Sequence, residues 1–200
     1  RDTGEYSNVA VQDIQVINSN DPTEVHCPAQ AYEVQPFGTN VYSDGSWFPL
    51  DRVYLSGISF VDPDEGVDVV KVKVSTTFGL LTLNPDYVGS LHFNSHAFCY
   101  EGRDLQCLGS GSSERELVFV ADHTNAANAL NGMRYQSVAS NVVDSVVITV
   151  FDGANGKCLS DELVSAGTCW QVSCTISVTV AGRDASFGRV SIADLSFRLL

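Results

Sequence analysis

The residues best suited to chemistry are acids. The stretch "ISFVDPDEGVDVVKVKV", Ile58 to Val74, breaks an apolar run with Asp62-Pro63-Asp64-Glu65-Gly66 and then returns to valine and lysine. A tight turn needs only one or two such residues. Three carboxylates around one proline repel each other unless something positive sits among them or water screens them. Asp62, Asp64 and Glu65 are hard oxygen donors, and a calcium ion takes about six to eight such oxygens in flexible geometry. The competing reading is a solvated type I turn, in which Pro63 fixes φ and Asp62 caps the bend.

Other chemistry is thinner. His92 and His96 in "LHFNSHAF" have H-x-x-x-H spacing. On a helix they would share a metal; the surroundings read as strand, where positions four apart lie ~13 Å from each other. Two ordinary histidines are the better reading. The chain has no G-x-S-x-G, no H-E-x-x-H and no glycine-rich loop ending in lysine. "GSGSS", Gly109 to Ser113, precedes Glu114 and Arg115 and reads as a flexible loop rather than a phosphate cradle. Glycosidase carboxylate pairs are defined by separation in space, so 24 acids in a sequence assign none. A non-enzymatic role is expected. Trp47, Phe48, Trp170, Tyr32 and Tyr42 could stack on sugars, but the core of a β-sandwich accounts for them as well and is favoured.

The six cysteines, Cys27, Cys99, Cys107, Cys158, Cys169 and Cys174, contain no C-x-x-C pair, which argues against structural zinc. An even set in an acidic chain suits disulfides and an oxidising compartment. Proximity favours Cys99–Cys107 and Cys158–Cys169, each closing a short loop. Cys27–Cys174 then remains to tie an early strand to a late one. The net charge of −13 repels nucleic acid, and the 11 lysines and arginines do not cluster. No apolar run approaches the ~20 residues that span a bilayer. An extracellular or cell-surface location is expected, without membrane insertion. Asn-x-Ser/Thr sequons are absent. Arg1 in the first position reads as a processed chain or a fragment.

The elements that must position these groups are strands. Period-2 alternation runs through "NVAVQDIQVI", "VVKVKVS", "LLTLN", "ELVFVA", "SVVITVFD", "QVSCTISVTVA" and "VSIADLSFRLL", with Gly, Asn, Asp, Ser or Pro between them. One segment, "DHTNAANALNGMRY", predicts a short helix capped by Asp122 or Thr124 and stopped at Gly132. Many strands, one short helix and no βαβ alternation predict an all-β antiparallel sandwich.

The order of "INSNDP", "LSGISFVDPDEG", "VKVKVSTTFGLLTL", "LVFVADHTNAANALNGMRYQS", "DSVVITVFDGANG" and "ISVTVAG" resembles the cadherin-like, immunoglobulin-type sandwich repeat of large extracellular adhesive proteins. The resemblance covers about Ile17 to Ala181. It implies calcium held where repeats join, by Asp62 and Asp64 of the "DPD" turn, Asp152 of the "DG" turn, and Asn20 and Asp21 of the linker. The cysteines, the insertion "SHAFCYEGRDLQCLGSGSSERE" and the segment after Gly182 depart from the family pattern.

The expected organisation is an N-terminal strand arm at residues 1–17, a sandwich at 18–181 and an extra strand at 182–200. In the arm, Val9 and Val11, then Ile14 and Val16, alternate with a phase slip at Gln12-Asp13. Alternation implies a face to be buried. A lone half-apolar strand has no stable place in solution and invites pairing with another chain. The main expectation is a subunit of an extracellular filament whose partners are copies of itself, assembled head to tail by strand exchange. The alternative is a calcium-dependent adhesion or ligand-binding module cut from a longer repeat protein.

Overall fold

The computed structural model describes residues 23–35, 39–41, 47–49, 51–62, 69–94, 99, 106–152 and 170–182. In chain order these form β1 (Glu24–His26), β2 (Tyr32–Val34), β3 (Thr39–Val41), β4 (Trp47–Pro49), β5 (Arg52–Leu55), β6 (Ser59–Val61), β7 (Val69–Ser75), β8 (Gly79–Thr82), α1 (Pro85–Val88), β9 (Glu116–Asp122), α2 (His123–Leu130), β10 (Met133–Ser137), β11 (Val142–Asp152) and β12 (Trp170–Val180). The architecture is the expected all-β sandwich. A five-stranded sheet has the order β2-β12-β11-β7-β9 and a three-stranded sheet the order β5-β10-β8, with the small pairs β1-β6 and β3-β4 beside them. Every pairing is antiparallel except β2 with β12, which run parallel over Tyr32–Val34 and Val178–Val180.

The strands form where the alternation placed them, because every second side chain faces one apolar layer. Val70, Val72 and Val74 of β7, Leu117 and Phe119 of β9, Ile148 of β11 and Ile176 of β12 meet Leu55, Leu81, Met133 and Tyr135 of the smaller sheet in a single core. Helix α2 is capped by Asp122, whose carboxylate accepts the Asn125 N–H at 2.8 Å. It ends at Asn131, followed by Gly132 at φ +87°, the left-handed region that glycine enters without strain. One element went unforeseen. Asn84-Pro85 starts the single turn α1, with the Asn84 side chain accepting the Asp86 N–H and proline at the first position, where it loses no hydrogen bond.

Two of the expected disulfides are present: Cys27–Cys174 and Cys99–Cys107. The first spans 147 residues and fastens the end of β1 to β12. The second clips the insertion between α1 and β9. Cys158 and Cys169 lie outside the described residues, as do the arm and the C-terminal extra strand.

The insertion closes sheet edges. His92 and Leu108 bridge to Val120 and Val118 on the free side of β9, and Glu114 bridges to Leu81 on the free side of β8. The "GSGSS" segment is not a loose loop. The N–H groups of Ser110, Gly111 and Ser112 all point at the Glu114 carboxylate, at 2.9, 3.1 and 3.3 Å. The backbone makes an anion nest and the chain fills it with its own glutamate. An added Cβ on Gly109, at φ +97°, would stand 2.7 Å from that carboxylate.

At one end of the sandwich, Asp144 of β11 is 2% exposed. Its carboxylate accepts from Thr76 Oγ1 at 2.6 Å, Tyr135 Oη at 2.8 Å and the N–H groups of Ser145, Phe78 and Thr77 at 2.8, 2.9 and 3.2 Å. Burial is the largest single influence and raises its pKa; the bonds from Thr76, Tyr135, Phe78 and Ser145 together outweigh it, so the net direction is down from 3.8. The Tyr135 phenol moves up, chiefly by burial and then by its bond to Asp144 and the charge there. Gly79 fits because a Cβ would lie 2.1 Å from the Tyr135 ring. A depressed folded pKa gives stability that is present above the unfolded value and lost as pH falls through the folded one. Asp144→Asn should therefore cost about 2–4 kcal/mol at neutral pH. The deficit should narrow as pH drops below the ordinary 3.8, where the parent loses its carboxylate. Urea titrations across that range check this, and a deficit constant with pH would contradict it.

Candidate functional site: an acidic pole and an open strand edge

Strand register gathers several acids at the end of the sandwich opposite Asp144. Val69 pairs with Asp122, Val70 with Asp152, and Asp152 with Trp170. The starts of β7 and β12 and the ends of β9 and β11 therefore share one pole, and β6 runs out to Asp62 there, against the first turn of α2. Of the expected calcium set, Asp62 is described in full and Asp152 is placed by its backbone. Asp64, Asn20 and Asp21 lie outside the described residues.

The group facing Asp62 is a histidine. His123 Nε2 lies 3.1 Å from Asp62 Oδ2 and 3.1 Å from Thr23 Oγ1, and the Thr23 hydroxyl donates to Asp62 Oδ2 at 3.1 Å. An ionised carboxylate only accepts, so Nε2 must carry a proton for this contact to be favourable. Sequence reasoning missed His123, whose neighbours Asp122 and Thr124 drew attention as caps. Nothing local signals a contact between residues so far apart in the chain. The hydroxyl of Thr23 is 1% exposed and already committed to Asp62. The trio thus joins β1, β6 and α2 rather than presenting a nucleophile.

The described carboxylates at this pole are engaged. Asp62 holds His123 and Thr23, and Asp122 holds the Asn125 backbone and side-chain amides at 2.8 and 2.6 Å. No group of three His, Cys, Asp or Glu side chains converges on one point among the described residues. By themselves these residues do not supply the oxygen-rich shell that calcium takes.

A second feature is a strand edge. On one side β12 pairs with β11 along its whole length, Trp170–Val180 against Val142–Asp152. On the other side β2 covers only Val178–Val180. Among the described residues, Gln171–Ser177 has no hydrogen-bonded strand on that side, although Cys27 at the end of β1 is bonded to Cys174 within it, with Cα atoms 5.7 Å apart. Gln171, Ser173 and Thr175 are exposed, while Ile176 and Val178 are buried, so this edge is half polar and its inward face reaches the core. The arm residues assigned to assembly, Val9, Val11, Ile14 and Val16, lie outside the described residues. No described helix is long and apolar enough to cross a membrane.

No family model and no curated protein matches the chain. Among solved structures it is similar to the cohesin module from Clostridium perfringens ATCC13124 family 33 glycoside hydrolase, with 14% identity, 82% of this chain and 99% of that chain covered, and a TM-score of 0.32.

The Asp62 contact has a measurable consequence. Asp62→Ala removes the carboxylate that holds the Thr23 hydroxyl and His123 in a half-buried site. Denaturant titration at neutral pH should show a loss of about 1–3 kcal/mol. An unchanged midpoint would mean that the trio contributes nothing to the fold.

Proposed function

We propose that the chain is a non-enzymatic extracellular structural module, a filament subunit joined to its neighbours by exchange of a terminal strand. The observation that carries this reading is the outer edge of β12 at Gln171–Ser177, which has no strand partner among the described residues. An unpaired edge next to a buried core is a template for an added strand. The segment Val9–Ile17 has the composition to fill it, with Val9, Val11, Ile14 and Val16 as the side chains to be buried. Asn18 to Pro22 is the polar tether that lets the arm leave its own domain. Each added ladder bond contributes about 0.5–1.5 kcal/mol, and each buried branched side chain about 1.5–3 kcal/mol. After the cost of ordering the arm, that is enough for a non-covalent fibre. A head-to-tail contact of this kind propagates without closing. The two disulfides fit an oxidising compartment, as an extracellular filament requires.

A second reading, a calcium-dependent adhesion module with the cadherin-like arrangement, rests on the register that puts Asp62, Asp122 and Asp152 at one pole. There calcium would have to compete with His123 for Asp62. In that case calcium raises the thermal midpoint and a chelator lowers it, by mass action on the folded state. Identical midpoints remove this reading and leave the first.

For the filament, light scattering of the native protein should give a distribution of large particles. The chain lacking residues 1–17 should give a folded monomer. A truncated chain that still polymerises, or an intact chain that is monomeric at every concentration, would defeat the proposal.

A further inference from the structure

The two sheets differ in what lies on their outer faces. In the five-stranded sheet, Lys71, Val118, Val120, Thr149 and Phe151 point away from the core and are nevertheless buried. Among the described residues, the outer face of β5-β10-β8 is partly exposed. Tyr54 of β5 is 63% exposed. Beyond the far end of the same sheet, the Val138 N–H donates to the Phe78 carbonyl at 3.0 Å, one step past the Ser137–Gly79 pair. By period 2, Phe78 and Val138 stay in step with Leu80 and Gln136 on the outer face. They are 40% and 48% exposed. Half of the six exposed large apolar side chains of the described residues thus lie on this small sheet or directly beyond its end.

Its central strand carries a cation. Arg134 of β10 sits between Tyr54 on one side and Thr82 on the other. Its Nη2 donates to the neutral Thr82 hydroxyl at 3.2 Å, and its Nε is buried with no acceptor. No carboxylate pairs with it among the described residues. Arg52, in the next row, does have one: Asp51, at 3.2 Å. In a chain of net charge −13, an arginine without an acid beside it, next to an exposed Tyr54 and on the same face as Phe78 and Val138, is not what solubility alone would select. Tyr and Arg at the centre of an apolar patch are the composition of protein interfaces.

We propose that the outer face of β5-β10-β8 is a docking surface for an acidic polypeptide segment of a partner protein. A carboxylate of the partner binds the Arg134 guanidinium, and its apolar side chains cover Tyr54, Phe78 and Val138. Charge complementarity selects this occupant: the Arg134 guanidinium has no carboxylate beside it among the described residues, and a carboxylate matches the outward side of its fork. A second copy stacked on the same face through a two-fold axis would bring Arg134 towards Arg134. The surface is separate from the β12 edge, so the inference stands whether or not strand exchange occurs.

The test uses the full chain and three short synthetic peptides that alternate leucine with glutamate, glutamine or lysine, with binding followed by titration calorimetry. The Glu/Leu peptide should bind most tightly. Arg134→Glu and Tyr54→Ser should each weaken it about tenfold or more, and Arg134→Lys should restore part of the loss. Should Arg134→Glu fail to fold, the exposed Tyr54→Ser carries the test alone. Equal binding of all three peptides, or Glu/Leu binding that neither variant changes, would overturn the proposal. So would sedimentation showing a dimer that only Arg134→Glu dissociates, since the occupant would then be a second copy.

Discussion

The constraint on which the rest of the sandwich depends is the buried carboxylate of Asp144. A sandwich needs its two sheets held in one register, and the β7–β8 and β10–β11 connections are two of the places where the chain passes between them. Asp144 sits on β11 of the larger sheet and accepts from Tyr135 on β10 of the smaller one. It also accepts from Thr76, Thr77 and Phe78 in the turn between β7 and β8. One anion thus satisfies donors from the β7–β8 turn, from β10 and from β11 itself. A carboxylate removed from water is costly unless its lone pairs are filled, and here five donors fill them. The absence of a side chain at Gly79 completes the arrangement by admitting the Tyr135 ring.

With both sheets fixed, the edges become the issue. The insertion between α1 and β9 covers β9 through His92 and Leu108, and β8 through Glu114. Its course is set by the Cys99–Cys107 clip and by the nest around Glu114. The opposite side is treated differently. The Cys27–Cys174 bond ties β1 to β12, yet β2 pairs with β12 only at its end. The contrast between one side closed by a dedicated insertion and the other short of a hydrogen-bonded strand among the described residues is the physical basis for reading β12 as an assembly edge.

Much of this was legible in the sequence because it is local. Alternating Val-Val-Lys-Val-Lys-Val fixed which side chains of β7 face inward, and Asp122 with Gly132 bounded α2. Cys99 and Cys107 lie close enough in sequence that their pairing followed from proximity, and Cys27–Cys174 followed by remainder. What was not legible depends on contacts between distant residues. His123 opposite Asp62 and Tyr135 on Asp144 are each formed only by the fold. The Ser110–Ser112 amides closing on Glu114 escaped notice for another reason: glycine and serine composition says that a loop can bend, not what it bends around. The parallel β2–β12 pair was missed as well, since side-chain alternation is the same for either strand direction.

The central claim is that β12 offers a strand edge that a second copy fills. Amide hydrogen exchange reads this directly, by comparing the native assembly with the chain lacking residues 1–17. In β12, alternate amides face β11 and the others face away from it. If the arm of a neighbour pairs there, the outward amides of Gln171–Ser177 exchange many-fold more slowly in the assembly, while those bonded to β11 exchange alike in both. Outward amides that exchange equally fast with and without the arm would contradict the account.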